Sequence, residues 1–260
     1  MDNNAKFILG GKTWSYSSVS SYETCPYGFR LSYIAMEERQ GNFFSDFGLF
    51  IHKILELYFT NELELDDLLD YYEENYYDSM YYNAPRYPAN MAENYRSAGR
   101  KYFENFKFDK TLYDIVAVED TIFSTHNGIK LVTKPDLILK EKSTGKYSLV
   151  DFKTARLKPN GKQRDTQIAQ YMRQFLLYCY FFWVEKDIQI NNIEIWFIRN
   201  NQIIIKDIDP MQVAETMEWF TGTIDNILNE ENWDPNLSKK NKYFCSEICS
   251  FRNCCQYNNI

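Results

Sequence analysis

Asp151 and Lys153 stand two residues apart in the run Leu149-Val150-Asp151-Phe152-Lys153-Thr154. If that run is a strand, both side chains point to one face and Phe152 to the other. A carboxylate is a hard oxygen ligand suited to Mg²⁺ or Mn²⁺, and an ammonium beside it can orient a water or stabilise charge developing on a phosphoryl group. Hydrolysis of a phosphodiester needs both. Asp136 follows Pro135 in the preceding apolar run and reaches Asp151 if the two runs form an antiparallel pair across a short turn. The plainer alternative is a solvated ion pair on a strand and an acid in a turn, and spacing by itself leaves both open.

The chain has two histidines. His52 lies on an apolar helical repeat with Glu56 one turn later, whereas His126 sits in a hairpin turn. A lone histidine on such a face is either a hydrogen-bonded core residue or a ligand. Glu56 and Glu119 are further carboxylates within reach of a cation site, with a solvated or structural role expected of both. Cys245, Cys249, Cys254 and Cys255 crowd the C-terminal tail, and Cys25 stands near the start. Four thiolates on a short, turn-rich tail suit zinc or an iron-sulfur cluster. Cys179, inside an apolar helical run, reads as a buried thiol.

Several elements must position these groups. Ser17, Ser18, Ser20 and Ser21 precede Cys25-Pro26 and predict a short helix ending at Cys25. Leu49, Ile51, Ile54, Leu55, Tyr58 and Phe59 predict a helix over 45–59 capped by Ser45 or Asp46. Residues 61–110 are acidic and Tyr-rich, and read as amphipathic helices broken near Pro85 and Pro88. Strands at 115–124 and 130–140 flank the Asn127-Gly128 turn; with a third at 147–154 they are expected to form an antiparallel meander. A long helix over 165–185 follows, then strands at 193–199 and 202–208 about Asn200-Asn201, and a helix over 210–228 opened by Pro210.

In this order the motifs resemble the RecB-like exonuclease branch of the PD-(D/E)XK nuclease superfamily, and are similar to CRISPR-associated RecB-like exonucleases and the AddB nuclease domain. The matching residues are Ser17, Val19, Tyr22, Cys25, Pro26 and Phe29, then the helix Gly48-Leu49-Phe50-Ile51-His52-Lys53-Ile54-Leu55-Glu56, the segment Val132-Thr133-Lys134-Pro135-Asp136-Leu137-Ile138, the Asp151-Phe152-Lys153 strand, and Gln174-x-x-x-Tyr178. Thr133, Lys134 and Pro135 depart from the usual neighbours of the family's acid. Gln167-x-x-x-Tyr171 repeats the last pattern one heptad earlier.

The resemblance implies a metal-dependent DNA nuclease. Asp136, Asp151 and Lys153 would be catalytic, with Gln174 and Tyr178 supporting the site. His52, Asp136, Asp151 and the carbonyl of Phe152 would hold one or two Mg²⁺ or Mn²⁺ ions. It also implies a structural 4Fe-4S cluster on Cys25, Cys245, Cys249 and Cys255, with Cys254 as a substitute ligand and zinc as the alternative metal. The implied fold is α/β: a restriction-endonuclease-like core with a central mixed sheet flanked by helices, a helical insertion at 61–110 and a cysteine-rich tail at 240–260. Expected activity is exonucleolytic, on single-stranded DNA or DNA ends; a sequence- or structure-specific endonuclease and a non-catalytic nucleic-acid-binding module are the alternatives.

Composition sets bounds on this reading. At 260 residues and 45% hydrophobic content the chain can bury a full core, and a single domain over 1–260 is expected. With no long apolar run and no basic-then-apolar leader in Met-Asp-Asn-Asn-Ala-Lys, no membrane partner is expected and a cytoplasmic location is. The net charge of −7 opposes nucleic-acid binding. Eight acids lie between Asn61 and Asp78 with no base, however, and removing them from −7 leaves +1 for the rest. Arg96, Arg100, Lys101, Arg156, Lys158, Lys162 and Arg164 are candidate phosphate contacts.

Overall fold

The computed structural model describes residues 3–235 and 241–258. Met1 and Asp2 of the N-terminal segment, and residues 240, 259 and 260 of the cysteine-rich tail, lie outside the described residues. Eight α-helices are described: α1 Asn3–Gly10, α2 Tyr16–Thr24, α3 Pro26–Tyr33, α4 Phe43–Phe59, α5 Leu68–Asn75, α6 Met91–Glu104, α7 Lys162–Lys186 and α8 Pro210–Leu228. The strands are β1 Tyr113–Val118, β2 Ile122–His126, β3 Ile129–Thr133, β4 Leu137–Glu141, β5 Tyr147–Lys153, β6 Ile190–Phe197 and β7 Gln202–Asp207. They gather into two compact units, one of residues 43–122 and 134–213, the other of 1–42, 123–133 and 214–260.

The first unit holds a five-stranded mixed sheet in the order β1-β4-β5-β6-β7. β5 lies at its centre, antiparallel to β4 and parallel to β6, and its interior residues are buried without alternation, as a strand covered on both faces requires. Helix α4 repeats apolar residues at helical spacing, and Phe47, Phe50, Ile51, Ile54, Leu55, Tyr58 and Phe59 are all buried. They pack with Leu137, Leu139, Val150, Phe152 and Trp196 of the sheet and with Tyr72, Tyr102 and Phe103 of α5 and α6. Phe152 thus points into this core while Asp151 and Lys153 face the other way, as alternation dictates.

In α6, a Cβ on Gly99 would sit 2.5 Å from the Tyr72 hydroxyl, which donates to the Arg96 carbonyl at 2.8 Å. The close approach of α5 and α6 therefore depends on that glycine. Arg96 and Arg100 both turn to Glu73, at 2.7 and 3.5 Å, so these two candidate phosphate contacts are engaged inside the helical insertion.

The second unit contains the hairpin β2-β3, whose Asn127 and Gly128 have φ of 48° and 80°, as a two-residue turn of this twist demands. Trp14 pairs with Leu131 beside the hairpin and stacks on Phe29, which also stacks on Trp233. In α8, Met217, Phe220, Ile224 and Ile227 form a buried stripe.

Two expectations need correction. The meander is interrupted: the run 115–124 splits into β1 and β2, and 130–140 splits into β3 and β4, so β1 pairs with β4 and the intervening hairpin forms a separate ladder. The breaks fall at Glu119, which has a φ of 50°, and at Pro135, which has no N–H to give a ladder. Helix α4 also starts at Phe43, so neither Ser45 nor Asp46 caps it. Asp46 is buried and accepts the Tyr82 N–H at 2.8 Å.

Candidate active site

Three chain segments of the sheet-containing unit meet where β1 ends, β4 begins and β5 ends. Asp136 immediately precedes β4, and its Oδ2 accepts the Phe152 N–H at 2.7 Å. Its Oδ1 lies 3.5 Å from His52 Nδ1. The other ring nitrogen, Nε2, is 2.9 Å from the Phe152 carbonyl oxygen; a carbonyl only accepts, so Nε2 is the donor. Helix α4 therefore delivers His52 to the strand that carries Asp151 and Lys153.

Glu119 joins them through backbone geometry. Leaving β1 in the left-handed region, its N–H donates to the Asp136 carbonyl at 2.9 Å, and its carboxylate comes within 3.7 Å of His52 Nδ1 and 2.7 Å of Lys134 Nζ. One donor atom from each of His52, Glu119 and Asp136 lies within 4.8 Å of the others. Glu119, for which a solvated or structural role was expected, pairs with Lys134 and also faces the His52 and Asp136 donors. The available signal was the Glu119-Asp120 pair interrupting an apolar run. Glu56 instead pairs with Lys53 at 3.2 Å.

Asp151 is buried, and its Oδ2 faces Lys153 Nζ at 2.6 Å with no hydrogen-bond donor aligned on it. Gln174 Oε1 approaches the same ammonium at 3.4 Å, and Gln174 Nε2 donates to the Tyr178 hydroxyl at 2.6 Å. The rings of Tyr171 and Phe175 lie 4.9 and 5.2 Å from Nζ. Of the two Gln-x-x-x-Tyr pairs, then, the later one meets the lysine by hydrogen bond. Gln167 instead holds the segment after β5, accepting the Lys158 N–H at 2.9 Å and donating to the Arg156 carbonyl at 3.0 Å.

The electrostatics are those of a site short of positive charge. Burial alone would lower the His52 pKa, but Asp136, Glu119 and Asp151 outweigh it and lift it to about 10. Burial and the neighbouring Asp136 push the Asp151 carboxyl upward. Burial also opposes charge on Lys153, yet Asp151 and Asp136 hold its ammonium charged and raise its pKa. Imidazole nitrogen and carboxylate oxygens form a donor set that accepts a hard divalent cation, and the buried Asp151 oxygen without an aligned donor fits the same need.

In the second unit, Cys25 ends α2 and caps α3, its Sγ accepting the Gly28 N–H at 3.3 Å. Cys25, Cys245, Cys249 and Cys255 line one cavity of about 260 Å³. Cys254 is exposed and does not line it. Burial raises the thiol pKa of Cys25 and of Cys249, with the other cavity cysteines adding to it. Cys179 is a buried thiol, as expected.

A mixed sheet sets carboxylates and a buried lysine at the ends of adjacent strands, and helix α4 brings an imidazole beside them, a donor set that could hold a cation. The model of the PD-(D/E)XK nuclease superfamily matches residues 13–256. The chain belongs to that superfamily: it is a hydrolytic nuclease whose substrate is nucleic acid, of a family that uses divalent metals. No curated protein matches the chain. Among solved structures, a Eubacterium rectale protein provisionally described as an exonuclease is 15% identical, covers 86% of this chain and 90% of its own, and has a TM-score of 0.49. A protein designated SSO0001 is 14% identical over 96% of this chain and 95% of its own, with a TM-score of 0.35. No helix among the described residues is long and apolar enough to cross a membrane.

Proposed function

We propose that the chain is a deoxyribonuclease of the RecB-like branch, acting as an exonuclease on single-stranded DNA or DNA ends. The observation that carries this reading is the convergence of the His52, Glu119 and Asp136 donors within 4.8 Å, beside the Asp151–Lys153 pair at 2.6 Å. His52, Asp136, Asp151 and the Phe152 carbonyl would hold Mg²⁺ or Mn²⁺, with Glu119 joining that set. The ion, when bound, supplies Lewis acidity and a water of lowered pKa.

The chain's own groups do the rest. Lys153, kept charged by Asp151, stabilises negative charge on the reacting phosphate. Gln174 orients that ammonium, and Tyr178 in turn holds Gln174. The His52 Nε2 bond to the Phe152 carbonyl fixes the ring so that Nδ1 faces the carboxylates.

The cysteine cavity supports a structural 4Fe-4S cluster on Cys25, Cys245, Cys249 and Cys255. A tetrahedral zinc site with bonds of about 2.3 Å needs sulfurs about 3.8 Å apart. A cluster spans wider sulfurs, so zinc and a cluster are told apart by metal analysis and visible absorbance of the purified protein. The exposed position of Cys254 leaves Cys255 as the fourth ligand.

The test is degradation of end-labelled single- and double-stranded DNA, with a circular substrate alongside, in Mg²⁺ or Mn²⁺. Wild-type protein is expected to release label from ends and spare the circle, and Asp151→Ala and Lys153→Ala to abolish release. Unchanged cleavage in both variants rejects the site. Cleavage of the circle selects an endonuclease.

A further inference from the structure

The end of the sheet where β5 and β6 run side by side carries a cationic group that the site above does not use. Phe197 of β6 pairs with Lys153 of β5, and two residues on, in the 3-10 turn Ile198–Asn200, lies Arg199. Its guanidinium stacks on the Tyr95 ring at 3.7 Å. The side chain is half-buried and its Nε is buried with no hydrogen-bond partner. Among the described residues it pairs with no carboxylate. Burial lowers its pKa, and Arg156 presses in the same direction.

Arg156 lies on the segment that leaves β5, and that segment is fixed. Asn200 Oδ1, next to Arg199 in sequence, accepts the Leu157 N–H at 2.7 Å, while Gln167 of α7 grips Lys158 and Arg156 by their backbones. Two guanidinium groups are thus carried by tied segments, the electrostatics of one felt by the other, whereas Arg96 and Arg100 are turned to Glu73. Like charges held together cost free energy, and the planar fork of arginine matches a phosphate in two-point contact.

We propose that Arg199 and Arg156 clamp a phosphate of the substrate strand next to the one cleaved at Asp151 and Lys153. Neighbouring strands lie about 4.8 Å apart and a 3-10 turn rises about 2 Å per residue. The backbone of Arg199 is therefore on the order of one or two phosphate spacings from that of the lysine. The inference rests on the nuclease reading of that site and adds the direction in which the strand runs off it, across the turn after β6 and over the edge of Tyr95.

The experiment is equilibrium binding of a short fluorescent single-stranded oligonucleotide without divalent ions, over a range of salt. Arg199→Gln and Arg156→Gln are each expected to weaken binding about tenfold and to make the slope of log K against log salt shallower by about 0.7, one phosphate contact. Arg199→Lys is expected to restore the slope but not the full affinity, since it keeps the charge and loses the fork. Arg156 is exposed, so its variant decides the matter if Arg199→Gln fails to fold. Unchanged affinity and slope overturn the clamp, as does a loss of the same size in Arg100→Gln or a wild-type protein that binds no strand. A protein that binds with the clamp signature yet never cleaves overturns the nuclease reading instead. Cleavage with clamp variants that bind like wild type overturns only the clamp.

Discussion

The cation-holding role proposed for His52 rests on what surrounds its Nδ1. Asp136 and Glu119 lie 3.5 and 3.7 Å from it, and neither contact would be read from a helix pattern. Glu119 is also bound to Lys134 at 2.7 Å, so its part in holding a cation is separable from its part in an ion pair. Glu119→Gln is expected to raise the Mg²⁺ or Mn²⁺ concentration needed for half-maximal cleavage about tenfold or more, measured by metal titration of a cleavage assay. An unchanged requirement would reduce Glu119 to a partner of Lys134. Gln174 acts one step further out, through Lys153. Gln174→Leu should lower kcat about tenfold with KM nearly unchanged, because a misaligned ammonium loses charge stabilisation in the transition state and not in binding. A rise in KM alone would make Gln174 a substrate-binding residue.

At the scale of elements, the helical insertion depends on a close approach. Gly99→Ala would drive a methyl group into Tyr72, and overpacking of this kind costs about 1–3 kcal/mol. A lowered melting temperature is expected, and no change would mean that α5 and α6 slide apart freely. The cysteine tail gives a second test: Cys255→Ser should lose the brown colour of a cluster and Cys254→Ser should keep it, read by visible absorbance of protein prepared without oxygen. Elements whose signals are local were legible in the sequence. Pro210 opened α8, Asn127-Gly128 marked the hairpin, and the apolar repeat gave α4. Helix and strand spacing placed His52 and Lys153 on their faces, but it was the order of the motifs along the chain that singled them out. Glu119 was only one further carboxylate in the sequence, because its approach to His52 depends on a positive φ that a glutamate does not announce. Asp46 was read as a cap because its real partner, the Tyr82 N–H, is 36 residues away.

Over the whole molecule the charge is −7, an unusual balance for a protein that must hold a polyanion. Five of the acids responsible, Glu62, Glu64, Asp66, Asp67 and Asp70, are exposed and cluster around the N-terminus of α5. Of these, Asp67 at the N-cap and Asp70 in the first turn meet the positive end of the helix dipole, an effect that fades within that turn. That placement gives those two acids a structural reason and leaves the field of all five as a cost to substrate approach. Replacing all five by amides takes the net charge from −7 to −2. The variant should lose some stability yet associate with single-stranded DNA severalfold faster at low salt, because long-range steering follows the summed field. The gain should fade as salt rises, since the screening length falls to about 8 Å at physiological ionic strength and about 3 Å at 1 M. Stopped-flow association at several salt concentrations separates the two contributions. A rate unchanged at low salt would mean that the strand enters where the α5 field does not reach, and that Asp67 and Asp70 serve the helix alone.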